Sequence, residues 1–587
     1  MTTDAPATST TTSGSGWPWR GTGSPTTASC GWASAIMPAR SSPTGPASTD
    51  PPWRCRLERS ARSPATRRTG YRTCHGRCCS PSGAAAGRSP QAVMADRSAA
   101  RWFGRRSVQA VLTYGATNAV VRVIGGLLTL AYAFRLSAEE LGGYAIFTSI
   151  VTLADVLGDL GVSTAIIRQY FDHDDTPDAG RRFLGRVVIT VRLLALGVFV
   201  VVGAFLFLAW DWFVAGQLHL WPYLFLALLL AFIYRSNTLF DAITRTLDHP
   251  RHFASYRLVQ VLALVGFSIV LVFALDLGLL GAVLAAVCAA AVGAVFRGFT
   301  IARLVPHTVG GLSWKEIKGL LGYGLPLLPQ ELADWGRTMA LRLVLANILP
   351  IAQIGVLFLA TSIIGPIGLI ITSFEMWFNP VYMKMRVAGG KDSFRKVRLI
   401  RQFLLAFLTP LYVAAIMFLP TIADLILPER YHEALPLLAP FLATSYVALL
   451  NSFQTRQLLY LRRTLTISAM SIATMALTLG VAPVMAVTYG LAGVAWTALG
   501  VASAGQVLTW YVVSRSEPNE LRLRTSLAAM ATATAATLYD AWAGNFVSGP
   551  ADLAARGAAV LLACGVVGAL WLWPNRSMIR GRFWRTA

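Results

Sequence analysis

Charge is scarce in this chain, and acid is scarcer than base. Of 587 residues only 13% are charged, and 28 acidic side chains stand against 51 Lys and Arg, a formal net charge of +23. Cysteine is rarer still. Five of the seven (Cys30, Cys55, Cys74, Cys78 and Cys79) precede residue 94, while Cys288 and Cys564 lie alone in apolar runs. No disulfide framework is implied. The cluster Cys74-His75 with Cys78-Cys79 matches no standard zinc spacing and has no second ligand pair after it. The few histidines form no ligand pair either, so neither a metal nor another cofactor is expected. There is no phosphate-cradling glycine-rich loop, which argues against ATP as the direct energy source. Beyond residue 93 no polar stretch is long enough for a soluble domain, and the largest outer link is residues 424–433. A membrane glycosyltransferase, polymerase or ligase places its chemistry on such a domain or loop, so the chain is not expected to be an enzyme.

What the chain has in quantity is apolar length. Hydrophobic residues make up 55% of it. From Ser107 onward, runs of about 20 to 25 apolar residues recur, enough to cross a ~30 Å hydrocarbon core as helices. Spans are expected near 108–133, 142–167, 186–210, 218–240, 256–276, 278–301, 318–348, 352–380, 399–423, 434–458, 464–486, 489–513, 525–547 and 554–574. The thirteenth is the weakest, being rich in Ala and Thr and carrying Asp540.

Every second link is cationic. Arg168, Arg181, Arg182 and Arg186 follow the second span, and Arg245, Arg251 and Arg257 follow the fourth. Arg303, Lys315 and Lys318 come next, then the group from Lys384 to Arg398, then Arg462 with Arg463, and Arg515 with Arg522 and Arg524. The alternate links hold only Arg135, Arg430 and Arg556, offset by acids such as Glu139, Glu140, Asp211, Asp276, Asp424, Glu429, Glu433 and Asp552. This asymmetry places the even links and both termini in the cytoplasm. The excess cations therefore sit beside anionic lipid headgroups, and nucleic acid is not an expected partner. The expectation is an all-α polytopic protein of the bacterial cytoplasmic (inner) membrane, with 14 transmembrane helices.

Residues 1–93 are a different object, rich in Ser, Thr, Pro, Gly and Arg and without an apolar period. They read either as a disordered basic tail or as sequence upstream of the true start at Met94. In the second case residues 94–107 form a cytoplasmic leader. N-terminal sequencing of the native protein separates the two.

The halves of the membrane region repeat. Tyr114-Gly115 opens the first span and Tyr323-Gly324 the seventh; Glu140-Leu141-Gly142-Gly143-Tyr144 enters the second and Gln353-Ile354-Gly355 the eighth. With the same charge topology recurring every six spans, two parallel lobes follow, 108–301 and 318–513, around a central cavity. Helices 13 and 14 (525–574) are an addition, and 575–587 is a basic tail.

These motifs, with the link Arg251-His252-Phe253-Ala254-Ser255-Tyr256-Arg257, Tyr323-Gly324-Leu325-Pro326, Trp377-Phe378-Asn379-Pro380, and Tyr431 with Ala434, carry a resemblance. Roughly residues 108–515 resemble bacterial polysaccharide-export flippases, the Wzx/PST branch of the multidrug/oligosaccharidyl-lipid/polysaccharide exporter superfamily. The resemblance implies outward flipping of an undecaprenyl-pyrophosphate-linked oligosaccharide by alternating access. The membrane lipids and that lipid-linked oligosaccharide are the implied partners, and a polysaccharide polymerase and a chain-length regulator are open as further ones. An ion-coupled multidrug or cation antiporter and a lipid II flippase of the same superfamily are the rival readings.

Ionisable side chains at bilayer depth are costly and face a cavity or a partner. Asp155 and Asp159 share a helix face, and each is expected either to couple an ion or to be neutralised by Arg122, Arg168 or a packing hydrogen bond. Arg122 and Asp155 lie at similar depth and are expected to be able to pair. On span 7, Glu331, Asp334 and Arg342 are expected on one broad face of a helix weakened by Pro326, Pro329 and Gly336. With Arg337 nearby, that helix is a gating candidate, and the alternative is a kinked helix with its charges paired. A pyrophosphate needs guanidinium donors, for which Arg122, Arg192 and Arg342 are the candidates.

Overall fold

The computed structural model describes residues 105–569 apart from 173–176, 215, 217, 248, 306–309, 369–377, 379–381, 384, 387–389, 462, 518–522, 547–549 and 568. The N-terminal extension with its Cys/His cluster, most of the leader, most of the Trp377-Phe378-Asn379-Pro380 motif and the basic tail lie outside the described residues. The Arg168 side chain lies outside them too.

Among the described residues every regular element is helical. The first lobe has six spans: Thr113–Arg135, Ala138–Ile166, Gly180–Leu208, Leu220–Thr246, Pro250–Ala274 and Gly278–Leu304. The second span starts on a capping box: the Ser137 hydroxyl accepts from the Glu140 amide, and the Glu140 carboxylate takes the Ser137 amide. The same device, Ser313 with Glu316, starts the seventh span.

The seventh span runs in pieces. Trp314–Gly324 is helical, Leu325–Leu327 tightens to a 3-10 turn, Leu328–Trp335 is helical, Gly336–Ala340 is a π turn and Leu341–Ala346 completes the pass. Pro326 and Pro329 each remove a backbone donor at the first break. Ile351–Ile364 begins the eighth span, and Arg395–Ile426 and Glu429–Tyr460 are the ninth and tenth. Thr464–Ser514 is 51 residues long. As one rod it would reach about 75 Å against a core of ~30 Å. At Gly490 the backbone takes φ 64°, and a Cβ on Gly493 would overlap the Met485 carbonyl oxygen, so the chain doubles back there as two passes. Leu523–Phe546 and Pro550–Val567 follow. Among the described residues nine helices are long and apolar enough to cross a membrane. With Thr464–Ser514 taken as two passes and the segmented or shorter helices added, the order of elements fits the 14 expected from the sequence.

Two boundaries move. The second lobe does not begin as one unit at residue 318. Trp314–Gly324 packs on Val162–Asp172 of the first lobe, whereas Leu328–Trp335 packs on the helix beginning at Thr464. The first piece is tied by Arg186 to Glu316 at 2.9 Å and by the Leu312 amide to the Thr190 hydroxyl at 2.8 Å. The Arg186 guanidinium is bidentate on that carboxylate, its other nitrogen at 3.3 Å. Span 7 thus belongs to both lobes. Arg556, expected in an outer link, is instead buried: it pairs with Asp540 at 2.6 Å and donates to the Met417 carbonyl. The acid that weakens the thirteenth span is the counterion of the fourteenth, and both pack on the ninth.

At the ends opposite the cationic links the lobes meet backbone to backbone. A Cβ on Gly142 would overlap the Ile351 carbonyl oxygen, and one on Gly355 the Ala138 carbonyl oxygen. The two glycines of the internal repeat therefore form the contact between the second and eighth spans. Arg430 donates to the Ala133 carbonyl at 2.8 Å and Tyr431 to the Leu136 carbonyl at 3.1 Å, closing the same end.

Candidate functional site

The first lobe holds a buried ionic cluster built from four of its spans. Asp155 and Asp159 descend one face of the second span, as their spacing requires. Arg235 on the fourth span, 3% exposed, pairs with Asp159, stands 3.9 Å from Asp155 and donates to the Ser163 hydroxyl at 2.5 Å. Ser163 in turn donates to Asp159 at 2.7 Å. The Asp155 carboxylate oxygen 3.9 Å from Arg235 is buried and has no hydrogen-bond partner among the described residues.

A second group stands beside the first. Asp241 on the fourth span takes the Tyr256 hydroxyl and, at 2.5 Å, the Arg257 guanidinium, both from the fifth span. Arg297 on the sixth span lies 5.3 Å from the Tyr256 ring centre, and Arg257 is equally near it.

Two cavities border these groups. One, of about 340 Å³, is lined by Val121, Asp155, Asn237, Arg257, Gln260 and Ala286 among others. The other, of about 260 Å³, is lined by Asp155, Asp159, Ser163, Arg235, Asp241 and Glu331 among others. Glu331 comes from span 7, so the second cavity lies between the first lobe and the helix that bridges to the other. Among the described residues no set of His, Cys, Asp and Glu is grouped to hold a metal ion.

The structure redistributes the expected charges. Asp155 faces Arg235 and not Arg122, which is exposed on the first span and makes no ion pair among the described residues. Arg192 is exposed on the third span. Glu331 and Asp334 lie three residues apart in the helix Leu328–Trp335, but Arg342 leaves their face, because the π turn at Gly336–Ala340 inserts an extra residue into the helical register between them. Glu331 turns to the cavity. Asp334 is exposed and paired with Arg337 at 2.6 Å. Arg342, 7% exposed, binds the Thr361 hydroxyl at 3.0 Å and lies over the Phe358 ring. It ties span 7 to span 8 and is not presented to either cavity.

Neither Arg235 nor Arg297 is among the candidates that the sequence points to. The signal for Arg235 is its depth: it lies as far from Thr246, where the fourth span ends, as Asp155 does from Ile166 on the second.

A family model described as polysaccharide biosynthesis protein matches residues 134–436, more than half of the chain. The chain belongs to that family. No curated protein matches it. Among solved structures it is similar to "Lipid II flippase MurJ, inward closed conformation", with TM-score 0.59 and 15% identity over 79% of this chain and 99% of that one. It is similar to an inward-facing multidrug resistance MATE family transporter of the MOP superfamily, with TM-score 0.54 and 17% identity over 68% and 98% of the two chains. The MATE multidrug transporter DinF-BH shares the fold at TM-score 0.51 and 17% identity, over 70% of this chain and 94% of that one. At such identities the likeness is one of fold. The family member described here is thus a multi-pass membrane protein with the architecture of flippases and transporters.

Proposed function

We propose that this protein flips an undecaprenyl-pyrophosphate-linked oligosaccharide from the inner to the outer leaflet of the bacterial cytoplasmic membrane by alternating access, with both termini cytoplasmic. The observation that carries this reading is the ionic lining of two cavities at bilayer depth in a transporter fold. A charged side chain at the bilayer centre costs roughly 2.5–3.5 kcal/mol even on insertion scales. Such a lining fits the handling of a charged cargo or coupling ion. Arg122 and Arg192, both exposed, are proposed to supply bidentate donors to the pyrophosphate. Asp155, whose buried carboxylate oxygen has the Arg235 guanidinium at 3.9 Å but no hydrogen bond among the described residues, and Asp159 with Glu331 are proposed as the coupling group, because both carboxylates of the second span share Arg235 and Glu331 of span 7 lines the same cavity. A polymerase and a chain-length regulator are the proposed partners that would receive the product.

Deleting the gene and resolving lipid-linked sugars by leaflet tests this. Build-up of an undecaprenyl-linked oligosaccharide on the cytoplasmic side is expected. The carboxylates of the first lobe favour one second reading, an ion-coupled drug or cation antiporter. Its signature is no glycolipid build-up and raised sensitivity to cationic drugs, and that result would reject the flippase.

A further inference from the structure

Arg297 is the anomaly of the first lobe. It is 1% exposed, and all three guanidinium nitrogens are buried with no hydrogen-bond partner among the described residues. Its near neighbour is the Tyr256 ring. A buried guanidinium without a carboxylate is held at considerable cost unless another state of the protein gives it one. The adjacent Arg257 is placed in the opposite way. It has a carboxylate, Asp241 at 2.5 Å, yet it lines the larger cavity and keeps a quarter of its side chain exposed. Both guanidinium carbons stand 5.3 Å from the centre of the same tyrosine ring, and the hydroxyl of that tyrosine is on Asp241. One carboxylate thus sits within a cluster that contains two arginines: one facing the cavity, the other sealed behind it.

We propose that Arg257 is a phosphate-binding residue parked on Asp241, and that Arg297 takes Asp241 over when a diphosphate in the larger cavity draws Arg257 away. The exchange leaves no bare charge at either end. The diphosphate gains a bidentate donor, Asp241 keeps a counterion and Arg297 acquires its first acceptor. Asn237 and Gln260 line the same cavity and offer amide groups to the remaining phosphate oxygens. Arg257 becomes a binding residue on this reading, and Arg297 a positioning residue that acts through Asp241. The inference rests on the flippase reading for its choice of a diphosphate headgroup.

The test uses full-length protein in lipid nanodiscs, titrated separately with inorganic pyrophosphate and with farnesyl diphosphate. Arg257→Gln is expected to weaken binding about tenfold or more. Arg297→Gln is expected to weaken it similarly, because Arg257 can no longer leave Asp241. The deciding variant is Arg297→Gln combined with Asp241→Asn, which frees Arg257 and is expected to recover most of the lost affinity. Size-exclusion profiles and melting temperatures confirm that each variant is folded. Arg297→Gln binding like wild type overturns the exchange, as does a double variant no better than Arg297→Gln. Preference for farnesyl diphosphate supports a lipid headgroup as the ligand, and equal binding of both supports a free diphosphate. The rescue pattern together with no glycolipid build-up in the deletion strain would keep the exchange and reject the flippase.

Discussion

The arginines of this protein divide by what is within reach of each guanidinium. Arg401, fully buried, donates to the Phe453 carbonyl at 2.8 Å and is surrounded by the rings of Phe378, Tyr382 and Phe453. Its packing accounts for it. Arg235 is different, since two carboxylates and a hydroxyl converge on it inside a cavity wall. Arg235→Ala leaves Asp159 buried without its counterion, and losing one partner of a buried pair costs about 3–5 kcal/mol. A drop in melting temperature in detergent is expected, with Arg235→Ala combined with Asp159→Asn less destabilised than Arg235→Ala alone. An additive double variant would remove the pairing argument. On the side of the cationic links, before the span expected at 318–348, Glu316 is partly buried, which works against its ionisation. The Ser313 hydroxyl and amide and the Arg186 guanidinium outweigh that and hold its carboxyl below the usual range. Its folded pKa lies under its unfolded one, so its contribution to stability is complete above the unfolded value and fades as pH falls through the folded one. Glu316→Gln is therefore expected to flatten the acid limb of the melting curve and leave the neutral region little changed. An unaltered acid limb would show that the contact with Arg186 adds nothing.

Elements carry the motion that a transporter needs, and here the second and eighth spans stand out. The pair Gly142 and Gly355 was legible in the sequence as a weak repeat, but its meaning was not. Periodicity shows where a glycine lies along a helix and is silent on which backbone presses against it. A methyl group at either position has no room while the ends opposite the cationic links are closed, and overpacking of this kind costs about 1–3 kcal/mol. Gly142→Ala and Gly355→Ala are both expected to bias the protein towards an open outer end. Impermeant thiol reagents applied to intact cells should then label a cysteine placed at Leu136 faster than in the parent. Equal labelling rates would mean that this contact does not set the gate. Span 7 was harder to read. Pro326 and Pro329 announce its first break and Gly336 marks a weak point, but the sequence does not say that the helix takes a π turn there, where a Cβ on Gly336 would overlap Met475 of the eleventh span. That turn separates Glu331 from Arg342, and a regular 3.6-residue projection puts them together.

For the molecule as a whole, the sequence gives the number of passes and their alternation, because apolar length and link charge are local properties. It hides which lobe owns the first half of span 7 and why the last two spans exist, because both are questions of contact between distant segments. Asp540 and Arg556 show this. Read singly, one weakens a span and the other decorates a link; in the fold they are each other's counterion, and Arg556 also reaches the Met417 carbonyl of the ninth span. The thirteenth and fourteenth spans are thereby fastened to the second lobe, away from the first-lobe cavities. Ending the chain at Ser516 would remove both spans and expose the faces of the ninth and tenth on which they pack. It would not touch Asp155, Asp159, Arg235 or Glu331. The truncated protein is expected to be less abundant and to melt earlier, while retaining binding of inorganic pyrophosphate at the first-lobe site. Asp540→Leu combined with Arg556→Leu, which replaces the ion pair with apolar packing, is expected to melt at or above the parent temperature. Loss of pyrophosphate binding in a folded truncation would mean that the last two spans complete the cargo path and are not an addition to it.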